Sequence, residues 1–150
     1  MGGPFVTVAA FCEKLLIEAD NVASAIRIVD TYKLGEVPDI PPGLSGVEVV
    51  PVIELNGVIA IKSGDVTGEH RIDLVMENPL GERKKISPDG GWPILLNGGV
   101  HGANIKLKFP LGVKNYGLCW FDVLFDDALL TRMPLMLERA EKQTEPNPPS

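Results

Sequence analysis

Along most of the chain apolar and polar residues alternate one by one, the period of a half-buried strand. In "EHRIDLVMEN" (Glu69–Asn78) Ile72, Leu74 and Met76 share a face with His70, while Arg71, Asp73 and Glu77 share the other. "NIKLKF" (Asn104–Phe109) repeats the pattern, with Ile105, Leu107 and Phe109 inward and Lys106 and Lys108 in water. "FVTVAAFC" (Phe5–Cys12) and "ASAIRIVDTYK" (Ala23–Lys33) are rich in the β-branched and aromatic residues that strands favour. "EADN" (Glu18–Asn21) is the turn between them. "EVVPVIELNGVIAIK" (Glu48–Lys62) divides into two short strands at an Asn56-Gly57 hairpin turn, with Pro51 confining the first arm to an edge or bulge. The clusters "NPLGERKK", "SPDGGWP" and "LNGGVHG" are read as further turns. Seven to nine short strands joined by such turns predict an all-β fold, a single-domain antiparallel β-sandwich over residues 1–142. The polar, Pro-rich residues 143–150 are expected to be a disordered tail.

One strand breaks the alternation. In "GLCWFDVLFDD" (Gly117–Asp127) Cys119, Phe121, Val123 and Phe125 point one way, and Leu118, Trp120 and Leu124 the other; Asp122 alone is polar before the closing acidic pair. Phe121, Val123 and Phe125 are assigned to the core. Leu118, Trp120 and Leu124 then form an outward apolar stripe, and contiguous apolar surface marks an interface. Its cover is either a protein partner, a second copy of the chain among them, or the irregular arm Gly35–Gly46, which carries Val37, Ile40 and Leu44. After the turn at Asp126-Asp127, "DDALLTRMPLMLE" (Asp126–Glu138) returns alongside.

Three stretches carry a resemblance: "AAFCEKLLIEADNVASAIRIVDTY", the strand of His70, Ile72, Leu74, Met76, Asn78 and Gly81, and "NYGLCWFDVLFDDALLTRMPLML". Over roughly Phe5 to Glu138 the chain resembles a family of uncharacterised, mainly bacterial proteins catalogued only as a domain of unknown function. Asp126-Asp127 stands where that pattern has Asp-Gly. The resemblance implies a sandwich and no particular activity.

Charge narrows the partners. The formal net charge is −6, and the acidic excess lies in the first 80 residues. Such a field repels phosphate backbones, which argues against nucleic-acid binding. Arg83-Lys84-Lys85 is short and is read as a solvated turn edge. No apolar run approaches the ~20 residues of a membrane helix, so no membrane partner is expected. The start of the chain lacks a basic leader, which predicts a cytoplasmic location. Cys12 and Cys119 have no metal-site spacing, and in that compartment they are expected to be reduced, buried and inert.

Candidate chemistry is thin. His70 and His101 are the two histidines, and a metal site would need them brought together with a carboxylate such as Asp65, Glu69 or Asp89. Their spacing does not require this, and a strand-edge histidine bonded to nearby backbone is the plainer reading. Asp65, Asp89, Asp126 and Asp127 could offer oxygens to calcium, but turn formation explains each. "LNGGVHGAN" lacks the Lys-Ser/Thr ending of a phosphate loop, and no serine sits in a Gly-x-Ser-x-Gly elbow. Trp92 in "GGWP" either plugs an open end of the fold or stacks on a ligand such as a sugar. These residues predict no catalytic group and no cofactor. The leading expectation is a non-enzymatic module that binds a protein, itself included. The alternative is a small metal-dependent enzyme or carbohydrate-binding module using His70, His101 and Trp92.

Overall fold

A computed structural model of the chain describes residues 2–17, 19, 22–34 and 50–139. It is all-β: β1 (Phe5–Ile17), β2 (Ala23–Val29), β3 (Thr31–Leu34), β4 (Val52–Glu77), β5 (Arg83–Lys85), β6 (Trp92–Gly112), β7 (Gly117–Phe125) and β8 (Ala128–Arg139). The expected arm over 35–46 and the expected tail over 143–150 lie outside the described residues, as does most of the 18–21 turn.

Hydrogen bonds join all eight strands into one mixed sheet, in the order β2-β1-β4-β7-β8-β3, with β5 and β6 also paired to β4. The expectation was antiparallel throughout; β3 instead runs parallel to β8, Thr31 opposite Met136. The reason lies at Asp30, where "ASAIRIVDTYK" breaks into two strands. The first part pairs with β1 and the second crosses to β8, where the Met136 amide donates to the Asp30 carbonyl at 2.8 Å.

β4 organises the rest. Its first half lies between β1 and β6, with Asn56 opposite both Cys12 and Lys108. Its second half lies between β7 on one edge and β6 and β5 on the other. The register of β4 against β6 slips between Lys62 and Thr67, opposite the Gly98-Gly99 pair. This change of register divides the two halves. β1 and β7 are not hydrogen-bond partners, yet the Phe11 and Phe121 rings meet edge to face at 4.8 Å. The sheet must therefore curl over its own apolar face. The core so enclosed holds Phe11, Leu55, Ile59 and Leu107 from one part, and Ile72, Leu74, Phe121 and Leu135 from the other. The inward assignment of Phe121 and Val123 holds, both being fully buried, while Phe125 is half-buried at the strand end.

Three expected turns are strand. Asn56-Gly57 makes no hairpin but sits within β4. Its glycine serves close approach: a Cβ on Gly57 would stand 2.7 Å from the Ala10 carbonyl oxygen of β1. "LNGGVHG" runs through the middle of β6, its glycines absorbing the change of register. Arg83-Lys84-Lys85 is solvated as expected, but forms a strand paired to β4 rather than a turn edge. By contrast Asp126 and Asp127 do form the β7–β8 turn, both at positive φ (46° and 70°), as a two-residue hairpin turn requires.

Candidate functional site

The outward face of β7 is where the sequence poses its question, and charge answers part of it. Asp122 is 6% exposed although it points away from the core. Opposite it on β8 is Arg132, whose Nε donates to the carboxylate at 2.6 Å. From β5, two strands away, Arg83 donates a second bond at 3.0 Å. Arg132 also reaches Glu77 at 3.2 Å, and Arg83 lies 3.8 Å from the same carboxylate. A parallel arrangement surrounds Asp73, 3% exposed: Ser87 Oγ donates to it at 2.8 Å, Lys85 Nζ lies at 3.3 Å and Arg71 Nε at 3.5 Å.

Depth separates the two signs. The side chains of Asp73 and Asp122 are 5% and 8% exposed, against 42%, 47%, 43% and 38% for Arg71, Arg83, Lys85 and Arg132. Carboxylates form the floor and cations the surface. Burial pushes both aspartates up, but hydrogen bonds from Arg132 and Arg83 to Asp122, and from Ser87 and Lys85 to Asp73, outweigh it and hold both below the usual carboxylate range. Arg132, in turn, is held higher by its bond to Asp122. Charge-assisted pairs of this kind fix side-chain geometry as well as charge.

The apolar members of the face lie within this lattice. The Arg132 guanidinium stands 4.8 Å from the centroid of Trp120, a cation–π contact. Trp120 is half-buried between Glu77 and Pro134; Leu124 is half-buried and Leu118 is 39% exposed. The stripe Leu118, Trp120 and Leu124 is thus present, but salted with guanidinium groups rather than purely apolar.

A second polar cluster sits at the β7–β8 turn. His70 Nδ1 is 2.6 Å from Asp126, and Nε2 is 2.8 Å from the Thr67 carbonyl. A carboxylate and a carbonyl both accept, so the protonated ring, with a donor on each nitrogen, is the form that satisfies both contacts. The bond to Asp126 raises the His70 pKa, with the Thr67 carbonyl adding to it, and His70 in turn lowers that of Asp126. Asp126 also accepts from the Arg71 amide at 3.0 Å, and Arg71 pairs with Asp127. The expected bond to nearby backbone is present at Thr67, but His70 lies within β4 rather than at a strand edge, and its bond to the Asp126 side chain makes it a clamp on the hairpin.

The remaining candidates are scattered. His101 lies on β6 beside Gly102, which faces Lys62, and its carbonyl accepts from Ser63 Oγ at 2.7 Å; His70 instead faces Ile94. Among the described residues no three His, Cys, Asp or Glu side chains converge on a metal position. Trp92 opens β6 opposite Ile72 and packs, half-buried, against the core. Both cysteines are free and buried, Cys119 in the main core and Cys12 in a small cluster with Leu15 and Val58. Burial raises both thiols, which blunts them as nucleophiles. No helix among the described residues is long and apolar enough to cross a membrane.

Arg83, Lys85, Arg132, Asp73 and Ser87 were missed from the sequence. Asp122, alone among apolar residues, was the available signal. A plain hairpin about Asp126-Asp127 puts Thr131 opposite it; a bulge between Val123 and Leu124 moves the register by one and brings Arg132 there instead. No protein-family model matches the chain, and no curated protein sequence matches it.

Proposed function

We propose that the chain is a non-enzymatic binding module, and that it docks an acidic protein surface on the outer face of β4, β7 and β8, centred on Trp120. The observation that supports this is the Arg132–Trp120 stack over submerged carboxylates. Tryptophan and arginine are enriched among the few residues that carry most of the binding energy of protein interfaces. Here the guanidinium positions are already fixed by Asp122 and Glu77, so docking need not order them. The surface cations point to acidic groups in the partner. They weigh against a symmetric homodimer through this face, which would set like charges opposite each other. The same reading takes the curled sheet as two packed layers, a sandwich, with β7 in the middle of one.

The test is site-specific photo-crosslinking in the native cell, with a benzophenone side chain at Leu118 and, as control, at Leu95, which is 58% exposed on β6. A discrete protein adduct at position 118, lost on Trp120→Glu and absent from position 95, is the expected result. An adduct with a second copy of the chain would replace the acidic partner with self-association. No adduct at 118, or one that survives Trp120→Glu, would overturn the docking face.

A further inference from the structure

A cavity of about 280 Å³ opens at the end of the core, between the Asn78–Glu82 turn and the segment that follows β6. It owes its character to strand parity. On β5, Arg83 and Lys85 reach outward to Asp122 and Asp73, although Arg83 also borders the cavity. Lys84, between them, faces the opposite side with its partner Met76 and lines the cavity. Lys114, just past the buried Val113, lines it as well. Neither lysine side chain makes a hydrogen bond or ion pair among the described residues, and both residues are exposed. The inner wall is apolar: Met76, Ile86, Leu111, Cys119 and Leu137. Gly117 allows the close approach of Pro79, which lines the cavity: a Cβ there would meet the Pro79 ring at 3.2 Å.

We infer that this cavity binds a small amphipathic monoanion, a medium-chain carboxylate, with its chain against the apolar wall and its head between Lys84 and Lys114. The volume is close to the lower end of small-molecule pockets. The wall supplies no charge to stabilise a carboxylate, so the two ammonium groups at the mouth, unpaired among the described residues, fix the orientation. Glu82, the acid at the same mouth, is engaged by Asn78 Nδ2 at 3.0 Å. This site lies on the inner side of β5 and adjoins the Trp120 face through Arg83, which borders the cavity and bonds Asp122.

Calorimetric titration of the whole chain with octanoate tests it, beside 1-octanol, which has the same chain without the charge. One saturable site for octanoate, at least tenfold weaker for octanol, and weakened at least tenfold in Lys84→Glu/Lys114→Glu is expected. Both lysines are surface residues, and an unchanged melting curve confirms that the variant is folded. Location is read from the thiols: octanoate should slow native-state alkylation of Cys119, which lines the cavity, and leave Cys12 unaffected. Absence of saturable binding, equal affinity for octanol, an unaltered double variant or equal protection of the two thiols would each overturn the assignment.

Discussion

At the scale of single residues, this chain places polar groups where its pattern calls for apolar ones, then neutralises them from neighbouring strands. Asp122 is tolerable on the outer face because Arg132 and Arg83 supply charged donors. Without them a buried carboxylate would carry a desolvation cost of several kcal/mol. His70 shows the same economy and gives a signed pH prediction. Its pKa is raised in the fold by Asp126 and the Thr67 carbonyl, above an unfolded value of about 6.5. A raised pKa means that the folded state favours the proton. The contribution to stability is therefore fully present below about pH 6.5 and is lost as pH rises through the higher folded value. Urea denaturation at pH 5.5 and 8.5 should show the wild type losing more stability on that rise than His70→Gln does. Identical pH dependence in the two proteins would show that the clamp carries no linkage.

At the scale of elements, the strands were legible and their limits were not. The two-residue period fixed which side chains of β7 and of Asn104–Phe109 enter the core, because a half-buried strand has only one consistent assignment. Asn56-Gly57 misled because the dipeptide favours a turn when the chain is free to make one. Here β1 and β6 hold both edges of β4, and the ladder outweighs local preference. The glycine is then needed for a different reason, the approach of the Ala10 carbonyl. Gly57→Ala should accordingly destabilise the protein by about 1–3 kcal/mol, the usual effect of overpacking a tight contact, and should shift the urea midpoint down. A neutral substitution would mean that β1 is free to move away. The bulge at Val123/Leu124 was not legible either, since one inserted residue leaves no compositional trace. That bulge decides which residue faces Asp122, so the lattice could not be assembled from the pattern alone.

At the scale of the whole molecule, a chain of net charge −6 displays on one face an aromatic platform whose four cations, Arg71, Arg83, Lys85 and Arg132, are balanced by Asp73, Asp122, Glu77 and Asp127. Depth sorts part of it: Asp73 and Asp122 lie below the guanidinium and ammonium groups, while Glu77 and Asp127 share their level. Long-range charge would draw a basic partner toward the acidic remainder, while short-range geometry on this face selects acidic groups, so the platform's binding should be salt-sensitive. The two tryptophans make it directly observable. Trp120 lies in the platform and Trp92 packs against the core opposite Ile72, so the ¹⁵N-labelled chain has two indole resonances, assigned by Trp120→Phe. Titration with an octapeptide of glutamate and tyrosine should shift the Trp120 indole signal progressively, leave Trp92 in place, and fade with added salt. A lysine–tyrosine octapeptide should move neither. An unmoved Trp120 signal, or one that follows the basic peptide equally, would contradict the assignment of this face to an acidic partner.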